Sequence, residues 1–329
     1  MFAARVEEGY ALDQIAIAQV QRAFPLFIPT YTHKYKGLEL PLNWVAVDMR
    51  TLFKSRRKSA ADLQPYFADE EQTRKYLRVN QQCQMLVVLN GPDWMLESFW
   101  AMPRQDALAH LAAIGFGTGT GATYSVTALT TAGTPVPYAH HTAMLLRHHR
   151  VLDEMQDAGL CATPNLYWLD GDLRELNRWA DWLRNTPAVR VISRDFTATT
   201  HWSVISTKVT ELIYLLSKAG RSFHVLVVGS GRANAPRILR ALVTAGHTAS
   251  VITSAPVLKA LSGVRYHLDE QGISSEAACD PDLYPFPLLI EHNLTVFEDI
   301  LHRTIEGTAA GQAYRNVPIM TTRITAPVA

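Results

Sequence analysis

The chain has 329 residues, 48% of them hydrophobic, and carries 31 basic against 30 acidic side chains. That length supplies a core for one domain of about 250 residues plus extensions, and the balanced charge excludes the global basic field of a general nucleic-acid binder, though not a local patch. Cys83, Cys161 and Cys279 form no CxxC pair, which argues against a zinc ribbon or a disulfide framework and for a reducing cytoplasm.

The first residues lack a signal-peptide pattern, and no apolar run approaches the roughly 20 residues of a membrane span. Residues 1–23 predict an amphipathic lead-in helix. Eight apolar, β-rich runs follow, at 25–30, 44–48, 85–90, 114–117 (or 123–126), 161–167, 189–196, 223–229 and 250–253, with helix-like stretches between them. Eight strands alternating with helices predict an α/β fold, a (β/α)8 TIM barrel over 24–265. The lead-in helix precedes it, and a C-terminal helical extension and tail occupy 266–329. Such barrels build their sites at the C-terminal ends of the strands.

In chain order, the second strand ends at Asp48. After it comes Lys54-Ser-Arg-Arg-Lys58, the densest basic run. It is either a solvated loop or, at a barrel mouth, a contact for a nucleic-acid backbone through Lys54, Arg56, Arg57 and Lys58. A charged helical stretch follows to about Arg78. Met85–Leu89 is continuously apolar, as a parallel strand buried on both faces must be, and it ends in the turn Asn90-Gly-Pro-Asp93.

Gly115-Phe-Gly-Thr-Gly-Thr-Gly121 has four glycines at alternate positions. No Gly-Lys-Ser/Thr follows, so it is not a P-loop. It reads as a flexible surface loop or as a place where a ligand approaches the backbone. His140-His141 and Arg147-His-His-Arg150 have the composition of a metal or phosphate cluster. Adjacent helical residues diverge, however, and only His141 and His148 share a face, so a solvated helix face is expected.

Three acidic residues lie at strand ends or just beyond, Asp48, Asp93 and Asp195. A carboxylate there serves as a general base or nucleophile. The alternative is a salt bridge to a neighbour such as Arg50 or Arg194. Asn165 ends the fifth strand, and Ser193-Arg194-Asp195 ends the sixth. Gly229-Ser230-Gly231 joins the seventh strand to a helix. It either cradles a phosphate on backbone N–H groups or is a tight turn that needs glycine. A Rossmann fingerprint fails because position 234 is asparagine.

Leu288-Leu-Ile-Glu-His-Asn-Leu294, followed by a helix over 295–307, resembles the closing segment of tRNA-guanine transglycosylases, which carry a His-Asn-Leu triplet ahead of a C-terminal helix. Asn165 stands where that family has a base-reading amide, Ser193-Arg-Asp195 near its base platform, and Gly229-Ser-Gly231 at its Gly-Val-Gly turn. Residues 246–263 resemble its last strand and nucleophile loop. Val45-Ala-Val-Asp48-Met-Arg-Thr-Leu-Phe53 is similar to an early segment of the DNA-directed branch of phages and bacterial islands, which places 7-deazaguanines in DNA.

The resemblance implies base exchange or a related modification at a nucleobase, in DNA rather than RNA. Asp48, Asp93 or Asp195 would be catalytic. Asn165, Ser193 and Arg194 would bind the base, and Gly229, Ser230 and Gly231 a phosphate or sugar. Nucleic acid and a free base such as a 7-deazaguanine would be the partners, in the cytoplasm (the host's, if phage-encoded), with no membrane and no cofactor. A homodimer or a partner protein stays open.

The chain also departs from the family. His292 is present, but the three closely spaced cysteines of the family's zinc site are not, so no metal is expected. The eighth strand has no carboxylate near Ile252-Thr-Ser254, where the family keeps its nucleophile. A hydroxyl there is a poor substitute, because displacing a base at an anomeric carbon needs a carboxylate. Two further readings follow: a non-catalytic nucleic-acid-binding or partner subunit, and a barrel enzyme for a small phosphorylated substrate.

Overall fold

Residues 17, 19, 23–31, 41–55, 63–130, 132–280 and 284–314 are described by a computed structural model. Most of the predicted lead-in helix, Arg56, Arg57, Lys58 and the tail from 315 lie outside the described residues.

The first third runs β1 (Phe27–Pro29), β2 (Trp44–Asp48), α1 (Met49–Leu52), β3 (Phe53–Ser55), β4 (Leu63–Pro65), α2 (Glu70–Leu77) and β5 (Gln84–Val88). The middle runs α3 (Asp93–Ala101), α4 (Arg104–Ala113), β6 (Phe116–Thr120), α5 (Tyr138–Asp157), β7 (Cys161–Thr163), α6 (Leu173–Asn185) and β8 (Val191–Asp195). The remainder is α7 (Trp202–Ala219), β9 (His224–Val228), α8 (Ala235–Thr244), β10 (Thr248–Thr253), α9 (Ala255–Leu261), β11 (Val264–Leu268), β12 (Ser274–Ala278), α10 (Phe286–Thr304) and α11 (Ala309–Tyr314).

This is a mixed α/β fold with parallel sheets. One four-stranded sheet has the order β1-β10-β9-β8 and the other β2-β5-β6-β7, with every pairing parallel. All eight predicted strands are present. Single parallel bridges link the sheet edges, Thr30 with Ala46 and Asn165 with Ser193. At the β7–β8 edge the Gln19 side chain stands in for a ladder. Its Nε2 donates to the Val191 carbonyl at 2.7 Å, and its Oε1 accepts from the Arg190 and Val191 N–H groups at 2.7 and 2.8 Å.

The strands bury both faces, because helices cover one side and apolar side chains fill the other. Ile28, Trp44, Leu86, Val191, Leu226 and Ile252, drawn from both sheets, belong to one buried cluster. A separate, larger cluster lies between strands and helices. The helix α6 shows the pattern that seats such a layer. Asp172 caps it by accepting from Arg174 and Glu175 N–H, and Leu176, Trp179, Ala180 and Leu183 form the buried i, i+3, i+4, i+7 stripe.

Five expectations change. The fourth strand is Phe116–Thr120, shifted into the glycine run that reads as a surface loop or a ligand approach. The glycines are there because α5 lies close: a Cβ on Gly119 would sit 2.9 Å from Met155 Cε, and one on Gly121 only 2.3 Å from His148 Cε1. The helix α3 was not expected after the Asn90–Asp93 turn. The basic run opens on the β3–β4 hairpin, ahead of the charged helix. A second hairpin, β11–β12, enters the region expected to be helical. Its turn at Gly272 has φ +82°, open to glycine without strain. Finally, His292 and Asn293 lie within α10, not ahead of a helix.

Among the described residues no helix is long and apolar enough to cross a membrane. Because His148 is fully enclosed and cannot withdraw, Gly121→Ala is expected to destabilise the fold by about 1–3 kcal/mol through overpacking, measured as a shift in the urea midpoint.

Candidate functional site

A cavity of about 850 Å3 opens at the carboxyl ends of the strands. It takes Asp48 from the end of β2 and Arg50 from α1, Asn90 and Asp93 from beyond β5, and Tyr124 and Ser125 from beyond β6. Asn165, Trp168 and Asp170 follow β7, Arg194, Asp195 and Thr197 come from β8 and its loop, Ser254 follows β10, and Lys208 arrives from α7. The three carboxylates singled out in the sequence therefore share one chamber, and Asn165 and Arg194 line it with them.

None of these carboxylates is spent on a salt bridge to Arg50 or Arg194. Asp48 Oδ1 accepts from the Thr51 N–H at 3.0 Å and so caps α1. Asp93 Oδ1 accepts from the Ser125 hydroxyl at 2.6 Å. Asp195 is held on both sides: Oδ1 accepts from the Thr197 N–H at 2.7 Å, and Oδ2 from Asn90 Nδ2 at 3.1 Å. Asp195 is thus fixed in orientation, while Asp48 and Asp93 each keep one oxygen without a hydrogen bond from a described residue.

The remaining predicted residues separate. Asn165 is buried, with Nδ2 donating to Thr123 Oγ1 and Oδ1 accepting from the Ser193 hydroxyl at 3.1 Å. Ser193 lies beneath it, fully buried, and supports the amide without lining the cavity. Gly229, Ser230 and Gly231 do not line it either. Gly229 has φ +82°, and a Cβ there would come within 2.7 Å of the Thr197 Cα. Its N–H donates to the Ile252 carbonyl at 2.8 Å. A tight turn that needs glycine accounts for this position. Lys54 is exposed on the β3–β4 hairpin, with its ammonium 5.6 Å from the Tyr66 ring centre.

Asn90, Trp168, Lys208 and Ser254 were not singled out from the sequence as binding residues. Asn90 and Ser254 follow strand ends, so the strand-end rule could have found them. Trp168 and Lys208 come from a loop and a helix, and only tertiary packing brings them in.

The histidine cluster is not a solvated face. His141, His148 and His149 are buried. His148 Nδ1 lies 2.6 Å from the Ala122 carbonyl, and the His149 ring stacks on Trp179 at 5.4 Å. Among the described residues no three His, Cys, Asp or Glu side chains are grouped to hold a metal ion. The residues do not fit a zinc site at the C-terminal triplet either. His292 Nε2 is 2.8 Å from the Tyr266 carbonyl, and Asn293 accepts from the Tyr266 N–H and donates to the Val264 carbonyl, both at 2.8 Å. The pair clamps β11 onto α10.

Comparison with known protein families and with curated proteins finds no match for this chain.

Burial pushes the His148 imidazole down to about 4, from the ordinary 6.5. Its neutral form is the folded form, so its contribution to stability is complete above the ordinary value and is lost as pH falls from 6.5 towards 4. That loss is expected to reach about 3 kcal/mol. Urea unfolding at a series of pH values should show a shallower acid decline in His148→Asn than in wild type.

Proposed function

We propose that the two sheets close into one (β/α)8 barrel and that the cavity at its mouth acts on a nucleobase in DNA, by base exchange or a related modification. Closure is supported by the two edge bridges, which complete a ring β1-β2-β5-β6-β7-β8-β9-β10, and by the interior cluster drawn from both sheets. The observation that carries the function is the convergence of Asp48, Asp93 and Asp195 with Asn90, Asn165 and Trp168 around one polar cavity.

In this reading the target nucleotide leaves the stack to enter the cavity. The glycosidic C–N bond breaks and the departing base takes its proton from Asp48 or Asp93. Asp195, held by Asn90 and Thr197, faces the anomeric carbon and attacks it or stabilises its oxocarbenium charge. The incoming base then bonds to that carbon and gives its proton to Asp48 or Asp93, each of which has an oxygen to receive it. Base replaces base, and no co-reactant is consumed. The hairpin carrying Lys54 follows Asp48 after the one turn of α1, which suits a basic segment meant to meet the backbone outside the mouth.

A specific observation favours a second reading. Where the resembled family keeps its nucleophilic carboxylate after the eighth strand, Ser254 lines the cavity. That suits a barrel that binds nucleic acid as a partner subunit without exchanging bases.

Expression in a bacterium that makes 7-deazaguanine precursors, followed by nucleoside mass spectrometry of total DNA and RNA, separates the two. A new nucleoside in DNA is expected, with its yield falling about a hundredfold or more in Asp195→Asn and in one of Asp48→Asn and Asp93→Asn. Unmodified DNA and RNA beside well-folded protein would transfer the assignment to the partner subunit.

A further inference from the structure

Arg194 is the most constrained cation of the cavity. It is 4% exposed, yet no described carboxylate lies within ion-pair distance of it. Its Nη1 donates to the Leu166 carbonyl at 2.7 Å, its Nε is buried without a partner, and its guanidinium carbon stacks 4.0 Å from the centre of the Trp168 ring. Buried charges are ordinarily paired, because an unpaired one forfeits its hydration with no return.

Carboxylates are near, but none is paired with it. Asp195 is held by Asn90 and Thr197. Glu211 accepts from Trp168 Nε1 at 2.7 Å and from the Gly171 N–H at 2.8 Å. Asp170 is exposed. The protein thus fixes the guanidinium by a carbonyl and an aromatic plate and leaves it without a direct ion pair to a described residue. Burial pushes the group down to about 10, opposed by Asp170, Asp195 and Glu211.

A second cation stands on the same side. Lys208 lines the cavity, half-buried, without an ion pair to a described residue. It precedes Glu211 by three residues on α7, so the two share a helix face. Glu211 holds the indole on which Arg194 rests, which sets Lys208 one helical turn from that plate. Arg194 and Asp195 are neighbours on β8, where successive side chains point to opposite faces. The cationic corner is therefore offset from the carboxylate proposed to face the anomeric carbon.

We infer that Arg194 and Lys208, backed by Trp168, form a phosphate-binding corner of the cavity that takes the phosphate of a substrate nucleotide. A guanidinium presents paired N–H donors in a plane that matches phosphate oxygens, and an ammonium adds a point charge beside it. The inference rests on the cavity being a nucleotide site and assigns the phosphate contact to β8 and α7, away from the Gly229-Ser-Gly231 turn.

Calorimetric titration of the full chain with deoxyguanosine, deoxyguanosine 5′-monophosphate, inorganic phosphate and a short single-stranded oligodeoxynucleotide tests it. The monophosphate or the oligonucleotide is expected to bind more tightly than the nucleoside, by a margin that shrinks with salt. The monophosphate result points to a free nucleotide and the oligonucleotide result to a polymer. Arg194→Met should cut that margin at least about tenfold, and Lys208→Met should reduce it less.

Arg194→Met removes an unpaired buried charge and keeps an apolar stem on the indole. Should it fail to fold, the partly exposed Lys208→Met carries the test. The inference is overturned if neither phosphate-bearing probe outbinds the nucleoside, or if the folded variants keep the wild-type margin. The two proposals fail separately. Unmodified nucleic acid with an Arg194-dependent phosphate margin sinks base exchange alone. A modified nucleoside with a margin indifferent to Arg194 and Lys208 sinks the phosphate corner alone.

Discussion

The structure depends on how β7 meets β8. Within each sheet a ladder of backbone hydrogen bonds joins neighbours, but between the sheet edges β7 and β8 Pro164 follows a three-residue strand and the contact is a single bridge, as it also is between β1 and β2. A parallel pair without its ladder leaves backbone donors and acceptors to satisfy, each costly if buried unmet. Side chains take over. Gln19 serves Arg190 and Val191 at one end, and its Nε2 also lies 3.3 Å from the Ala162 carbonyl of β7. At the other end the Ser193 N–H reaches the Pro164 carbonyl at 2.8 Å, and the Leu166 N–H reaches the Ser193 carbonyl at 2.8 Å.

That seam also sets the site. Asn165, Arg194 and Asp195 are the residues nearest its upper end. The Ser193 hydroxyl fixes Asn165, and Arg194 donates to Leu166 across the gap. A full ladder would have used the Leu166 carbonyl within the sheet. Its absence leaves that carbonyl for a guanidinium, whose carbon also lies 4.0 Å from the centre of the Trp168 ring. The gap between the two sheet edges is thus the gap that admits a buried cation, and the polar groups sealing it are held by mutual contact.

The sequence made the strands legible because parallel strands buried on both faces read as apolar runs, and it made the carboxylates legible because strand ends are where such folds place chemistry. What it hid was set by neighbours distant in the chain. Gly119 and Gly121 look like a loop until Met155 and His148 press against them. His148 and His149, flanked by arginines, suggest a wet face. Their burial depends on Tyr167 and Trp179, which approach His148 edge-on at 5.3 Å and stack on His149 at 5.4 Å. Strand β12, Ser-Ser-Glu-Ala-Ala, has almost no strand character of its own and is held by its partner β11. Trp168 and Lys208 carry no local mark of a site: Glu211 holds the Trp168 indole, and the packing of α7 brings Lys208 in.

The glycine of the Gly229-Ser-Gly231 turn has a structural cause at a distance. Glycine is required there, but the requirement comes from Thr197, whose backbone nitrogen would lie 2.8 Å from any Cβ at position 229. That nitrogen holds Asp195 Oδ1, and the Phe196 N–H just before it is anchored at 2.8 Å to the Val228 carbonyl. The loop after β8 can therefore fold back over β9 only because Gly229 has no side chain, and in folding back it aims Asp195 into the cavity. The glycine contributes through the carboxylate it allows to be placed: a larger residue at 229 would push Thr197 away and release Asp195 from one of its two holds, without any ligand having touched the turn.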